Sequence, residues 1–302
     1  MKNKISPPPE PLDAATVILV REKSGGKAWE VLLMRRHEKQ DFMGQAFVFP
    51  GGRLDPADGD PRLAEFATGI SAEEAKTRLN ETGLSTETAL GLFFAAIRET
   101  FEESGVLLAV PASGGRIDFD DPGVHKRFAA YRKRIHRQEM TLAELAEAER
   151  LLFSLERIAP FARWITPDFE PKRFDTRFFL ARMPVGQTPL HDAIEMTETL
   201  WTPPGEALRR QAAGDLLLFP PTLKTLEEIS RFSSLPGLFS FAAARPIRPI
   251  LPQALRDGTT RGIKLPHDPE YTIEAYKQPH RPGETSRIVL QDGRFTAMAF
   301  EQ

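Results

Sequence analysis

Hydrophobic and polar residues follow strand-like and helix-like patterns in turn along the 302-residue chain. The apolar stretch at 14–22 (AATVILVRE) predicts a buried β-strand with a charged end, and WEVLLM at 29–34 predicts the strand that returns beside it. Between residues 90 and 101, apolar side chains recur every three or four positions, which predicts an amphipathic helix. Gly105 has the backbone freedom that ends such a helix. The pattern therefore predicts an α/β protein.

The remaining pattern extends this mixture toward both ends of the chain. Residues 1–13 are rich in proline and predict a flexible N-terminal arm. Near the C-terminus, strands at 286–290 and 294–300 flank Asp292-Gly293, which predicts a β-hairpin. Between these ends we predict further elements: short helices at 61–66 and 71–75, a strand at 106–110, helices within 124–156, a strand at 173–179, and helices at about 204–214 and 220–233.

Three carboxylates stand on one side of the helix predicted around residues 90–101. Glu99, Glu102 and Glu103 are spaced i, i+3 and i+4, so their side chains are neighbours on the helix surface. Their repulsion would destabilise the helix without a cation, and oxygen clusters of this kind bind hard divalent cations. A solvated glutamate-rich face is the alternative. Upstream, the apolar run at 47–49 ends in Pro-Gly-Gly, a loop whose exposed backbone could contact a metal or a phosphate.

The composition is that of a soluble globular protein with one large or two small domains. Hydrophobic residues make up 41% of the chain and charged residues 27%. The net charge of −2 gives no general attraction to nucleic acid or to anionic membranes, and no run of 18 apolar residues exists. The absence of cysteine excludes disulfides, thiolate catalysis and cysteine-based zinc sites. We expect a cytoplasmic protein, since the last three residues, Phe-Glu-Gln, are not a peroxisomal targeting tripeptide.

The loop and the acidic helix together resemble the Nudix box, G-x5-E-x7-R-E-U-x-E-E-x-G-U, in which U is apolar. Residues 98–106 (RETFEESGV) match its second half, with Thr100 at one apolar position, and Gly52 matches its opening glycine. Asp58 stands where the first glutamate should be. Between Asp58 and Arg98 lie 39 residues where the standard box has seven, so an insertion of 32 residues splits the box.

Other segments make the chain similar to one Nudix branch, the proteins related to animal peroxisomal coenzyme A diphosphatases. The resemblance covers roughly residues 14–235 and adds these segments: Leu32-Leu33-Met34-Arg35, Trp164 with Thr166-Pro167, Arg173-Phe174-Asp175-Thr176 and Pro220-Pro221-Thr222. It implies an α/β/α sandwich around a mixed sheet, with a helical insertion at 59–88 and a C-terminal extension at 236–302 that carries the hairpin. The insertion is expected beside the mouth of the active site.

The resemblance also implies a metal site that holds Mg²⁺ or Mn²⁺. Glu99 and Glu103 would be the main ligands, Glu102 would assist one metal or the attacking water, and the Gly51 carbonyl would supply a further oxygen. Arg98 is expected to pair with acids that orient this site. A remote carboxylate completes many Nudix sites, and Glu195 and Glu198 are the candidates here.

Several further residues are candidates for binding the substrate. Arg35, Arg36 and Arg53 could clamp its phosphates, although basic surface residues also serve solubility. Phe174 or Phe42 could stack on an adenine, with core packing as the alternative for either. Asp175 could instead be structural, held by Arg173 or Arg177. The basic stretch at 126–137 could be a nucleic-acid face, but a solvated helix surface explains it better in a chain without a basic excess.

These features predict a metal-dependent hydrolase that cleaves a pyrophosphate bond in a nucleoside diphosphate derivative. Coenzyme A or an acyl-CoA is the leading substrate, although the full coenzyme A signature of other Nudix branches is absent: Gly44 lies one residue too far from Phe49, and no Leu-Leu-Thr is present. ADP-ribose, NADH and dinucleoside polyphosphates are alternative substrates, and a non-catalytic nucleotide-binding protein is an alternative class. We expect no nucleic-acid or membrane partner, and homodimerisation stays open.

Overall fold

The computed structural model describes residues 8–23, 25, 28–38, 44–258 and 260–300. Its strands are, in chain order, β1 (Leu12–Glu22), β2 (Trp29–Arg36), β3 (Phe47–Val48), β4 (Gly51–Arg53), β5 (Ala67–Thr68), β6 (Val110–Pro111), β7 (Leu151–Ser154), β8 (Ile158–Ile165), β9 (Phe174–Arg182), β10 (Met196–Thr202), β11 (Pro249–Ile250), β12 (Gln253–Asp257), β13 (Thr260–Lys264), β14 (Thr285–Gln291) and β15 (Arg294–Ala299). Its α-helices are α1 (Leu63–Phe66), α2 (Ala72–Leu79), α3 (Thr86–Ser104), α4 (Pro122–His136), α5 (Leu142–Glu149), α6 (Pro204–Ala213), α7 (Pro220–Ile229) and α8 (Leu235–Ala244).

Strand β1 lies inside the central sheet, whose strand order is β10-β2-β1-β9-β8-β11. It runs parallel to β9 and antiparallel to β2, so the sheet is mixed, as predicted. The short strand β3 pairs with β2, and β4 pairs with β1. The predicted first strand is therefore present, and it begins two residues earlier than expected, at Leu12.

Layers of helices cover both faces of the central sheet. Successive residues of β1 point to opposite faces, so Val17 and Leu19 belong to one hydrophobic cluster and Ile18 and Val20 to another. The first cluster contains the apolar side of α3 with residues of α2, α4 and α5, and the second contains residues of α6, α7 and α8. This arrangement confirms the predicted α/β/α sandwich.

The C-terminal region forms a second, antiparallel sheet with the order β12-β13-β14-β15, here named the C-terminal sheet. Its last two strands are the predicted hairpin, and both Asp292 and Gly293 at the turn have positive φ, at 48° and 76°. The strands β12 and β13 that complete the sheet were not predicted. Ile288 of β14 is fully buried in the second hydrophobic cluster, so the sheet packs directly onto the α/β/α layers.

The insertion carries two of the predicted short helices, α1 and α2. Ser71 caps α2 by accepting a hydrogen bond from the Glu74 backbone N–H, and Asn80 ends it in the left-handed conformation. Ala75 and Leu79 bury the apolar side of α2 in the first cluster. None of residues 59–88 lines the large cleft described below, so the insertion contributes no side chain to the cleft wall, and its expected place beside the active-site mouth stays a prediction.

Two other predicted elements differ from the structure. The strand predicted at 106–110 is absent except for Val110, which begins β6. Instead of a strand partner, the side-chain amide of Gln187 accepts a hydrogen bond from the Leu107 N–H and donates one to the Leu107 carbonyl. The helical pattern expected through residue 156 ends at Glu149, since Arg150 adopts positive φ and the next four residues form β7. Helix α8 was not predicted. Among the described helices, none combines the length and apolar character needed to cross a membrane.

Candidate active site

Helix α3 positions the three carboxylates that the sequence singled out, here named the carboxylate cluster (Glu99, Glu102 and Glu103). Ser85 caps the start of α3, and Gly105 ends it with φ of 71°. The apolar side of α3 is anchored in the core by Phe93, Ile97 and Phe101. This anchoring directs the cluster toward β4 and the Pro50-Gly51 turn, where the two halves of the split box meet.

Glu103 is the most deeply buried member of the cluster, with 3% of its surface exposed. Its Oε2 accepts a hydrogen bond of 2.8 Å from the Gly51 backbone N–H. Burial raises the pKa of Glu103 well above its ordinary value, and the negative charges of Glu99 and Glu195 raise it further. The Gly51 hydrogen bond and the positive charge of Arg36 oppose that shift only in part.

Glu99 lies directly against the backbone of Gly52. A β-carbon at position 52 would stand 2.4 Å from Glu99 Oε1, so only glycine leaves room for this carboxylate. Burial raises the pKa of Glu99 to about 7, with Arg98 lowering it and Glu102 raising it. Buried Glu103 and half-buried Glu99 thus both stand beside β4, and the charge of Glu99 disfavours the ionisation of Glu103.

Arg98 holds the acids around it in place. Its Nε and Nη2 donate to the two oxygens of Asp58, each at 2.8 Å, and its Nη1 donates to Glu99 at 2.8 Å and Glu102 at 3.0 Å. Burial disfavours its charge, yet the hydrogen bond to Asp58 and the surrounding carboxylates raise the pKa of Arg98. The pairing with acids expected of Arg98 is present, and Asp58 takes part in it despite the insertion.

Asp58 reaches Arg98 because a single 3₁₀ turn, Pro56–Gly59, fixes its position. Asp55 caps this turn, and the Asp58 carboxylate accepts a 2.8 Å hydrogen bond from the Asp55 backbone N–H. The side chain is 1% exposed, and burial raises the pKa of Asp58 although Arg98 lowers it. The local hydrogen bonds of this turn therefore bring Asp58 to Arg98 although the insertion follows directly after it.

Helix α4 supports the carboxylate cluster from a direction that the sequence did not indicate. Arg132 donates from Nε to the Glu102 carbonyl and from Nη2 to the Glu103 carbonyl, both at 2.8 Å. His136 Nδ1 lies 3.5 Å from Glu102 Oε2. Both residues belong to the basic stretch 126–137, so part of its positive charge serves to hold the end of α3. Only the i, i+4 spacing of Arg132 and His136 could have indicated that they share a side of the helix.

The two candidates for the remote carboxylate occupy different surroundings. Glu195 lines the large cleft, and its charge contributes to the raised pKa of Glu103. Glu198 lies beyond a bulge in β10 and pairs with Arg35 at 3.7 Å, and both side chains are more than 40% exposed. Neither Glu198 nor Arg35 lines the cleft, because the bulge and the strand alternation turn them away from it. The structure therefore separates these two residues from the other candidates.

The large cleft has a volume of about 1290 Å³. Glu99 and Glu102 line it, as do the predicted substrate-binding residues Arg36, Arg53 and Phe174. Phe42 lies outside the described residues. Lining residues that were not predicted include Trp164 near the end of β8, Phe169 and Lys172 in the following loop, and Leu255, Arg256, Arg261 and Ile263 in the C-terminal sheet.

Asp175 is held by arginine side chains, as expected if its role is structural. Its carboxylate accepts hydrogen bonds of 2.9 and 2.6 Å from Arg163 and lies 3.5 Å from Arg177. Arg173 instead donates to the carbonyls of Thr166 and Pro9. Arg163, on the neighbouring antiparallel strand β8, therefore binds Asp175 in the way that was expected of Arg173.

The donor set fits a divalent cation, although the ligands are not preassembled. Among the described residues, no three His, Cys, Asp or Glu side chains are arranged to hold a metal ion. Arg98 draws Glu99 and Glu102 toward its guanidinium, and Glu103 is held by Gly51. The raised pKa values of half-buried Glu99 and buried Glu103 indicate that the positive charge nearby does not balance these carboxylates, and a dication would supply that charge.

Comparison with known proteins identifies the family. The family model described as the NUDT19 Nudix domain matches residues 12–231. The chain belongs to this Nudix family. It is 26% identical over 318 residues to the acyl-coenzyme A diphosphatase NUDT19 of Xenopus laevis, a comparison that covers 89% of this chain and 83% of that protein. The protein of the same name from Gallus gallus is 27% identical over 312 residues, which are 87% of this chain and 82% of the relative.

A solved Nudix structure agrees with this assignment. The NUDIX hydrolase from Alicyclobacillus acidocaldarius is 26% identical and superposes with a TM-score of 0.62, covering 79% of this chain and 97% of that chain. The predicted Nudix membership and branch are confirmed, and the chain is a Nudix pyrophosphohydrolase. Nudix hydrolases generally depend on a divalent cation, which agrees with the donor set at the end of α3.

Proposed function

We propose that this Nudix hydrolase cleaves the diphosphate of coenzyme A or an acyl-CoA, giving adenosine 3′,5′-bisphosphate and 4′-phosphopantetheine or its acyl form. Similarity to acyl-coenzyme A diphosphatases over most of the chain carries this proposal. The large cleft supports it, since 1290 Å³ exceeds the roughly 300–1,000 Å³ typical of small-ligand sites and suits an extended molecule.

The metal site that we propose consists of Glu99 and Glu103, assisted by Glu102 and the Gly51 carbonyl, with Mg²⁺ or Mn²⁺ as the cation. When bound, the cation would neutralise the diphosphate and acidify a water molecule. The oxygen-only donor set favours these hard cations over softer metals. Arg98 acts as a positioning residue that keeps Glu99 and Glu102 beside the cleft.

The chain's own side chains suggest how the substrate is held and attacked. Arg36 and Arg53 line the cleft and bind the diphosphate oxygens, while Phe174 offers an aromatic surface to the adenine. Glu195 accepts the proton of the attacking water as the water oxygen bonds to one phosphorus and the bridging oxygen leaves with the other. Glu195 is proposed for this role because, of the two candidates, it alone lines the cleft.

Alternatives within and outside the class are ADP-ribose, NADH or dinucleoside polyphosphates as substrates, and a non-catalytic nucleotide-binding role. A binding protein would have no use for a buried carboxylate, Glu103, placed near the charge of half-buried Glu99, because that arrangement costs stability without a cation. Homodimerisation, the division of the chain at residue 235 and a cytoplasmic location stay predictions.

Mass spectrometry of coenzyme A incubated with the protein and Mg²⁺ tests the proposed reaction. We expect adenosine 3′,5′-bisphosphate from the unaltered protein and at least about 100-fold less from Glu103→Gln. The matched control is Glu65→Gln, which alters an exposed glutamate of the insertion and should leave the rate unchanged. Intact coenzyme A in all three samples would overturn the proposed substrate, and the same assay would then be applied to the alternative substrates.

A second measurement tests the metal site without relying on turnover. Mg²⁺ or Mn²⁺ should raise the melting temperature of the unaltered protein and of Glu65→Gln, but not that of Glu103→Gln, which loses a ligand. Equal metal stabilisation of all three proteins would contradict the assignment of Glu103 as a ligand.

Glu195→Gln and Glu198→Gln distinguish the two candidates for the remote carboxylate. We expect the first substitution to lower kcat by about 100-fold or more. The second should leave kcat within about twofold, since it changes an exposed ion pair. A larger loss in Glu198→Gln than in Glu195→Gln would show that the proton acceptor has been misassigned.

A further inference from the structure

The C-terminal sheet forms part of the wall of the large cleft, in addition to the part formed by the Nudix box. Strands β12 and β13 contribute Leu255, Arg256, Arg261 and Ile263 to its lining, and β14 and β15 contribute Leu290 and Phe295. Glu99 and Glu102 of the carboxylate cluster reach the same cleft from α3. One cleft therefore combines the metal site with a surface from a separate sheet.

Two arginines on this sheet stand directly opposite each other. Arg256 of β12 and Arg261 of β13 are cross-strand partners in the antiparallel ladder. Like charges in such a position repel and destabilise the strand pair. Both side chains are exposed to the cleft, so solvent weakens the repulsion without removing it. The placement is unfavourable unless an anion lies between the two guanidinium groups.

No carboxylate of the described residues neutralises this pair. Neither Arg256 nor Arg261 takes part in any hydrogen bond or salt bridge formed among the side chains that the structure describes. Other cations of the same sheet are engaged: Lys264 with the Glu270 carbonyl, Arg287 with Asp268, and Arg294 with the Ala212 carbonyl. The two cleft-lining arginines thus differ from their neighbours by presenting their donors to the cleft.

We propose that Arg256 and Arg261 bind a phosphate monoester of the substrate, remote from the diphosphate that is cleaved. A monoester carries about −1.5 to −2 charges at neutral pH and three acceptor oxygens, which two guanidinium groups can match together. A diphosphate bound at the carboxylate cluster would place its negative charge near α3, whereas Arg256 and Arg261 belong to the part of the cleft wall formed by the C-terminal sheet. The pair therefore provides a second anion site, separate from the metal site.

This inference builds on the proposed function and narrows it. Coenzyme A carries a 3′-phosphate monoester on its ribose, whereas ADP-ribose and NADH carry none. A site for that group makes the C-terminal sheet the part of the chain that selects coenzyme A over the alternative substrates. The insertion, which contributes nothing to the cleft lining, has no share in this selection.

Isothermal titration calorimetry with adenosine 3′,5′-bisphosphate and with 5′-AMP, each with Mg²⁺, tests the second anion site. The unaltered protein should bind the bisphosphate at least about tenfold more tightly than 5′-AMP. The double variant Arg256→Gln/Arg261→Gln should lose this preference while its affinity for 5′-AMP stays the same. The Arg256→Lys/Arg261→Lys variant should regain part of it, since it restores the charge without the bidentate geometry.

The control variant is Arg134→Gln/Arg248→Gln, which removes two exposed arginines that do not line the cleft. It should retain the full preference for the bisphosphate, which separates a local site from a general charge effect. Thermal melting of the three double variants checks that each of them remains folded.

The outcomes separate this inference from the proposed reaction. If the unaltered protein shows no preference for the bisphosphate, or if the Arg256→Gln/Arg261→Gln variant keeps it, the second anion site is wrong even when coenzyme A is hydrolysed. If the preference depends on the pair but coenzyme A stays intact, the site stands and the proposed reaction falls.

Discussion

At the scale of single residues, the site depends on where side chains are absent as much as on where they are present. Gly52 has no β-carbon, and its backbone can therefore lie beside the Glu99 carboxylate. Asp58 uses the shorter of the two acidic side chains and still reaches Arg98, because its own 3₁₀ turn brings it close. The same segment contains a second glycine, Gly59, and a second aspartate, Asp60, that do not make these contacts, so each substitution has a matched control.

Gly52→Ala should impair catalysis more than stability. The new β-carbon would stand 2.4 Å from Glu99 Oε1, so the carboxylate must move away from its present position. We expect kcat to fall by about 100-fold, since displacements of about 1 Å in a site have effects of that size. Gly59→Ala is the control because nothing lies within 4 Å of a β-carbon there. Equal activity of the two variants would show that Glu99 is not needed where it stands.

Asp58→Asn should destabilise the fold by about 1.5–3 kcal/mol, since the Asn amide cannot accept both hydrogen bonds from Arg98, while Glu99 and Glu102 still balance the guanidinium charge. Urea unfolding at neutral pH measures this loss. Asp60→Asn, in the exposed pair with Arg62, should cost less than about 1 kcal/mol. Similar losses in both variants would mean that the Asp58–Arg98 pair contributes no more than a surface ion pair.

At the scale of elements, the carboxylate cluster is held by two helices rather than one. Helix α3 ends at Gly105, and the last carbonyls of a helix lack partners within it. Arg132 of α4 supplies donors to two of these carbonyls, those of Glu102 and Glu103. The end of α3 that bears the cluster is therefore held in place by α4.

Arg132→Gln should loosen this helix end and lower activity without removing any group from the cleft. We expect a stability loss of about 1.5–3 kcal/mol, as is typical of hydrogen bonds from a charged donor, and a lower kcat with a weaker effect on KM. Arg134→Gln, on the exposed side of the same helix, is the control. Arg132→Lys should recover part of the activity. Unchanged kcat in Arg132→Gln would show that α4 does not position the cluster.

At the scale of the whole molecule, the insertion stabilises the sheet and leaves the cleft to the C-terminal sheet. Glu81, just after α2, accepts hydrogen bonds of 2.9 and 2.7 Å from Arg177 of β9 and lies 2.7 Å from Arg163 of β8. Asp13 of β1 also pairs with Arg177. Burial disfavours the Arg177 charge, but its hydrogen bonds to Glu81 and the carboxylates around it raise the pKa of Arg177. The insertion is thus tied to two central strands, β8 and β9, and Arg177 links this ion-pair network to β1.

Glu81→Gln should cost about 1.5–3 kcal/mol in the free energy of unfolding, because buried Arg177 would lose its bidentate carboxylate partner and keep only Asp13 and Asp175. The rate of substrate hydrolysis by the folded enzyme should stay the same, since no residue of the insertion lines the cleft. Glu73→Gln changes an exposed glutamate of α2 and serves as the control. A loss of activity without a loss of stability would contradict this division of roles.

Local patterns were sufficient for the elements whose stabilising contacts lie close in sequence. The existence of α3 and its end follow from the apolar spacing at 90–101 and from Gly105, all within the segment itself, whereas its start after Ser85 was not predicted. The C-terminal hairpin follows in the same way from Asp292-Gly293. The stretch after α3 has the same apolar character as a strand, but its partner is a side chain 80 residues away, Gln187, which no local pattern could indicate.

The sequence by itself determined the α/β class and the three carboxylates of α3, because side-chain periodicity and helix spacing are local properties. The α/β/α sandwich was what the resemblance to the Nudix box implied. Only the tertiary structure decided that Asp58 completes the box across the insertion, that Glu195 rather than Glu198 reaches the cleft, and that α4 supports the cluster. It also decided that the C-terminal sheet forms a cleft wall. The physical reason is that these contacts join distant segments, whose proximity is set by the packing of layers on the central sheet.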